Sequence, residues 1–124
     1  MSFRRQNGLV VDNEQLIADT LVRVLNLFGY TAKAAYGAEQ ALEMISGQPY
    51  DFLVTDVVMG DHMSGIDLVI NVNALVPDCK TVLMSGHART ADLLRAAEEK
   101  GYHFSVLAKP VHPNEILERL QAVT

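Results

Sequence analysis

Short apolar runs and stretches of helical spacing alternate along the whole chain, and this alternation narrows the fold more than any other feature. Leu9, Val10 and Val11 form the first run, and Thr31–Ala35 a weaker second. Residues 52–55, 81–84 and 105–108 supply three more. Between them, Leu16, Ile17, Leu21, Val24, Leu25 and Phe28 are read as one face of a first helix that Gly29 stops. Ala41, Leu42 and Ile45 mark a second helix ending near Gly47 and Pro49. Leu68, Val69, Val72 and Leu75 mark a third, broken at Pro77 and Asp78. A fourth, over residues 90–100, packs through Leu93, Leu94 and Ala97 and stops at Gly101. Pro113, a favoured first-turn residue, opens a fifth that buries Ile116, Leu117 and Leu120.

Five strands alternating with five helices predict an α/β domain, a parallel sheet with helices on both faces. The third run, apolar throughout, fits a strand covered on both sides. In such folds the functional crevice lies outside the carboxyl ends of the strands, where the strand order reverses. Polar residues sit at those ends here. Asp12, Asn13 and Glu14 follow the first run, Asp56 the third, Ser85 and Gly86 the fourth, and Lys109 with Pro110 the fifth. Folding is therefore expected to gather two carboxylates, a hydroxyl and an ammonium at one edge of the sheet.

Size and charge bound what such a pocket can serve. At 124 residues the chain reads as one domain, large enough for a single core, and none of its apolar runs approaches the ~20 residues that span a bilayer. The opening residues, Met1 to Asn7, are too short and polar for a signal peptide, so a cytoplasmic protein is expected. The single cysteine, Cys79, has no internal disulfide partner, which agrees with a reducing compartment, and is read as a small buried hydrophobe. A net charge of −5 argues against direct nucleic-acid binding, which needs a basic face. Any DNA output is expected on another polypeptide. His62, His87, His103 and His112 lack the spacing of a metal site, and the glycine-rich loop at residues 59–65 lacks a P-loop's glycine-lysine spacing.

Clustered carboxylates raise one another's pKa unless a cation joins them. Mg²⁺ suits them, because it takes one or two carboxylates, keeps several waters and accepts phosphate oxygens. Asp56 is a competent oxygen nucleophile toward phosphorus, giving an aspartyl phosphate. Lys109 can pair with the charge of the transferred group, and Ser85 can donate to a phosphoryl oxygen once one is present. Simpler roles stand beside these. Asp12 and Glu14 can cap the first helix, Asp56 can be a simple loop aspartate, Lys109 a solvated strand-end charge with Pro110 a turn residue, and Ser85 with Gly86 a turn.

Taken in order, these residues resemble the receiver domain of two-component response regulators over essentially the whole chain. Leu9 to Glu14 is similar to that family's acidic pair after the first strand. Asp56, Val57, Val58 and Met59 resemble its phosphoacceptor turn, Met84, Ser85 and Gly86 its switch hydroxyl, and Leu107 to Pro110 its lysine-proline corner. The resemblance implies a flavodoxin-like doubly wound (βα)5 fold, strand order 2-1-3-4-5, filling residues 1–124 with no effector domain in this chain. It implies a phosphoacceptor switch rather than a turnover enzyme. Asp56 would take a phosphoryl group from a sensor histidine kinase or histidine phosphotransfer protein, with only self-directed phosphotransfer and autodephosphorylation. Mg²⁺ would be held by Asp12, Asp56 and the Val58 backbone carbonyl. Output would pass through the fourth helix, fifth strand and fifth helix, to an effector or a dimer partner.

The chain departs from the family pattern at several points. Asn13 stands where a second carboxylate is usual, which removes one charge and predicts weaker Mg²⁺ binding. Val106 and Val111 replace frequent aromatics, so the ring rotation that couples to the switch hydroxyl has no counterpart. Gly60 replaces a usual proline, and the loop to Gly65 is one residue longer than common. That loop resembles those of receivers attached to hybrid kinases or acting alone, and the classical DNA-binding regulators look less similar. His87, two past Ser85, occupies a position that influences phosphate hydrolysis in the family. Two rival readings follow: a pseudo-receiver that binds partners without phosphorylation, and a haloacid-dehalogenase-like phosphohydrolase with Asp12 as its nucleophile.

Overall fold

A computed structural model describes residues 6–60 and 63–122. Its elements follow in the order β1 (Asn7–Val11), α1 (Gln15–Leu27), β2 (Thr31–Ala35), α2 (Ala38–Gly47), β3 (Phe52–Asp56), α3 (Gly65–Leu75), β4 (Lys80–Ser85), α4 (Thr90–Glu99), β5 (Val106–Ala108) and α5 (Pro113–Ala122). All strand pairs are parallel, in the order β2-β1-β3-β4-β5. This is the doubly wound, flavodoxin-like topology expected of the sequence. Its strand order reverses between β1 and β3, whose carboxyl ends frame the crevice.

Alternation along the strands divides the core into two layers. Leu9, Val11, Leu53 and Leu83 face α2, α3 and α4, meeting Ala41, Ile45, Val69, Val72 and Ala97. Val10, Phe52, Val54, Val82 and Met84 face α1 and α5, meeting Ala18, Leu21, Leu25, Ile116, Leu117 and Leu120. Every residue of β3 is buried, as its unbroken apolar run predicts. Each large side chain buried in this way contributes roughly 1.5–3 kcal/mol. The layers therefore hold the strand ends on a rigid platform.

Three residues assigned to core faces are instead exposed: Leu16 by 79%, Phe28 by 61% and Leu75 by 62%. At ~100° per residue, Leu16 lies on the side of α1 roughly opposite Ala18, Leu21 and Leu25. Phe28 is the C-cap of α1, where the backbone has already left helical geometry. Leu75 is the last residue of α3, and that final turn reaches past the packed residues. Strand limits shift slightly as well: β1 begins at Asn7, β4 runs from Lys80 to Ser85, and β5 is only three residues. Among the described residues no helix is long and apolar enough to cross a membrane. His62 lies outside the described residues.

Candidate functional site

Strand register places the polar residues at one level. Val11 is opposite Thr55 across β1 and β3, so Asp12 and Asp56 leave neighbouring strands side by side. Asp56 is opposite Met84, which puts Ser85 one step further on β4. Ser85 is opposite Ala108, which puts Lys109 one step beyond on β5. Neighbouring strands lie ~4.8 Å apart, so an ammonium on a long side chain can reach back across the edge. Lys109 does so. Its Nζ donates to Asp12 Oδ2 at 2.7 Å and sits 3.2 Å from Asp56 Oδ2. The four residues expected to converge are thus joined by ladder geometry, and the acid–ammonium contacts close the cluster.

The two acids differ in setting. Asp12 is fully buried; its backbone N–H donates to Ala35 O, and its Oδ1 accepts from the Glu14 N–H at 2.9 Å. The capping role open to Asp12 and Glu14 is therefore met by Asp12 alone, since Glu14, at the N-cap of α1, makes no side-chain cap bond. Asp56 opens into a cleft of about 400 Å³ that is also lined by Asn13, Glu14, Val58, Gly60, Gly86, His87 and Lys109. Burial pushes the Asp56 carboxyl above the usual carboxylate range, and the Asp12 charge adds to this while Lys109 opposes it. Burial works against the charged form of Lys109, but its bond to Asp12 and the charges of both acids prevail and hold it above the ordinary lysine value. The result is a desolvated, basic carboxylate facing a cleft beside a fixed cation.

Asp56 is aimed by the segment that follows it. The Val57 N–H donates to Met84 O, and the Gly65 N–H donates to Val57 O. Gly65 packs so closely that a Cβ there would stand 1.9 Å from the Asp56 carbonyl oxygen. Next to it, Ser64 and Asp67 form a reciprocal capping box that fixes the start of α3. The Lys109–Pro110 peptide is cis.

Ser85 is buried, and its Oγ accepts from the His87 N–H at 3.1 Å. The same oxygen is hydrogen-bonded to Thr90 Oγ1, at the first residue of α4. Thr90 is the site residue that sequence reasoning missed. A threonine opening a helix five residues after a strand-end serine gives only a faint signal, because the contact depends on the path of the loop between them. His87 lines the cleft, as its position two past Ser85 suggests, and its Nδ1 accepts from the Arg89 N–H. Elsewhere, Cys79 is buried, and burial followed by the nearby Asp51 charge pushes its thiol up to about 11.

The cleft offers oxygen donors from Asp56, Glu14 and Asn13, with the Asp12 carboxylate behind them, and one imidazole, from His87. Such a set fits a hard divalent cation better than a soft one. Mutual repulsion of Asp12 and Asp56 is one cause of the raised Asp56 pKa, and a cation there would relieve it.

Fold and pocket together describe a doubly wound α/β domain with an acidic cleft at the carboxyl edge of its sheet. The model of the response regulator receiver domain family matches residues 9–121, and the chain belongs to that family. The DNA-binding transcriptional regulator NtrC of Azospirillum brasilense is 27% identical over 88% of this chain, which spans only 22% of that protein. The response regulator receiver protein CpdR of Brucella abortus is 26% identical over 91% of this chain and 92% of its own length. A response regulator protein from Burkholderia pseudomallei, solved with a phosphorylated aspartic acid, a calcium ion and citrate, aligns with a TM-score of 0.79 at 31% identity. That alignment covers 94% of this chain and 66% of the other. Membership of this signalling family, in place of a hydrolase family, accords with the buried, ion-paired position of Asp12.

Proposed function

We propose that this receiver domain is a phosphorylation-operated switch whose acceptor is Asp56. The observation that carries this reading is that Asp56 both opens into the cleft and touches the Lys109 ammonium. An Asp56 oxygen attacks the phosphorus of a phosphohistidine on a sensor kinase or phosphotransfer protein. The new O–P bond forms as the N–P bond breaks, and the imidazole leaves with the electron pair. The phosphorylated aspartic acid named for the Burkholderia pseudomallei structure supports the same chemistry here.

Mg²⁺ is the proposed cofactor, held by Asp56, the Val58 carbonyl and, with one charge fewer than a carboxylate, Asn13, while Asp12, behind the cleft, would join them by releasing Lys109. When bound, it supplies charge neutralisation around the phosphoryl oxygens. Lys109 contributes a second cation, already held against both acids. Phosphorylation adds about −1.5 to −2 charge and three acceptor oxygens, which Lys109 and Ser85 are placed to answer. Their shift biases an equilibrium between resting and active forms, read through the surface of α4, β5 and α5 by an effector or a second copy. His87, on the cleft wall, is placed to influence water access and so autodephosphorylation.

Incubation with acetyl phosphate and Mg²⁺, followed by intact mass, tests this reading. The parent should gain one phosphoryl group and Asp56→Asn none. A parent that takes no label would establish the pseudo-receiver reading instead.

A further inference from the structure

Ser85 and Thr90 share a hydrogen bond that binds the end of β4 to the first turn of α4. A hydroxyl has one proton to donate and two lone pairs to accept with. One lone pair of Ser85 Oγ takes the His87 N–H. Thr90 Oγ1 is hydrogen-bonded to the same oxygen, and either hydroxyl can be the donor. Ser85 is buried, so its proton goes to a protein partner, whereas Thr90 is only partly buried and can turn its own proton to water. With Ser85 as the donor to Thr90, its single proton is committed away from Asp56.

Resting on the receiver reading above, we propose that Thr90 is a positioning residue that holds the Ser85 hydroxyl off the phosphoryl site. Ser85 can donate to a phosphoryl oxygen on Asp56 only by releasing Thr90. The release frees the first turn of α4, so the state of Asp56 reaches that helix by a hydrogen-bond exchange. Val106, on the strand beside Ser85, carries no ring whose rotation could transmit the same movement.

Removing the competing acceptor should favour the phosphorylated form. With subsaturating acetyl phosphate, which releases acetate as its O–P bond breaks, Thr90→Val should raise the steady labelled fraction relative to unlabelled protein by roughly three- to tenfold, the worth of one hydrogen bond. Thr90→Ala should do the same if valine disturbs the start of α4, and Thr90→Ser, which keeps the hydroxyl, should match the parent. In a Ser85→Ala background Thr90→Val should change nothing, because the bond it removes is already gone. Labelling of Thr90→Val and Thr90→Ala at or below the parent's level overturns the proposal, as does an equal rise in the Ser85→Ala background. A parent that takes no label overturns the receiver reading itself, and with it this role for Thr90.

Discussion

Lys109 holds two acids that differ in what they can do: Asp12 is sealed in the core, while Asp56 faces the cleft. The sealed acid anchors the ammonium, and the facing one lines the open cleft. Burial raises the pKa of Asp56 above its unfolded value, so its charge is a liability to the folded state once the pH exceeds the ordinary carboxylate range. A folded pKa raised in this way contributes stability below the unfolded value, which is lost as pH rises through the folded value. In metal-free buffer Asp56→Asn should therefore melt above the parent at neutral pH, and the difference should shrink as pH falls until Asp56 is protonated. Thermal unfolding followed across that range by circular dichroism checks this, and a variant less stable at neutral pH would contradict it. Asn13 faces the same cleft. Asn13→Asp restores a charge there and should tighten Mg²⁺ roughly tenfold, as titration calorimetry would read.

Elements aim these residues, and the start of α3 is the tightest example. Gly65 leaves no room between that helix and the Asp56 carbonyl. Gly65→Ala must push apart β3 and α3, costing about 2 kcal/mol in urea unfolding and slowing acetyl phosphate labelling of Asp56. At this scale the sequence was readable where periodicity and chain punctuation agree. β2 and the opening of α5 fall at their expected positions, and Ile116, Leu117 and Leu120 are buried as their spacing requires. Leu16 departs from expectation because it falls on the far side of α1, and Phe28 and Leu75 because hydrophobicity alone does not say where a helix outruns its partner. Asp12, Asp56, Ser85 and Lys109 could be placed together because all four obey one rule about strand ends. Thr90 obeys no such rule. Its contact with Ser85 depends on how residues 86–89 fold back, which no local pattern records.

Over the whole molecule, two apolar layers clamp one sheet, and Cys79 lies in the layer formed with α2, α3 and α4. It is the chain's single thiol, and its pKa is pushed up to about 11. Both facts make it inert while the domain is folded. Labelling by a chromogenic disulfide at pH 8 should be slow in buffer and rapid in strong denaturant. The thiol then reports global opening without any added probe. Prompt labelling of the native protein would show that this layer opens locally.

The ammonium and the sealed carboxylate stand 97 residues apart along the chain. A nascent chain emerging from the ribosome displays both acids long before it can supply their counter-ion. Until the last strand arrives, the half-built crevice repels itself and has little reason to close. Synthesis thus supplies the cation of this cluster after both acids, and a chain stalled after its fourth helix lacks the group that joins them.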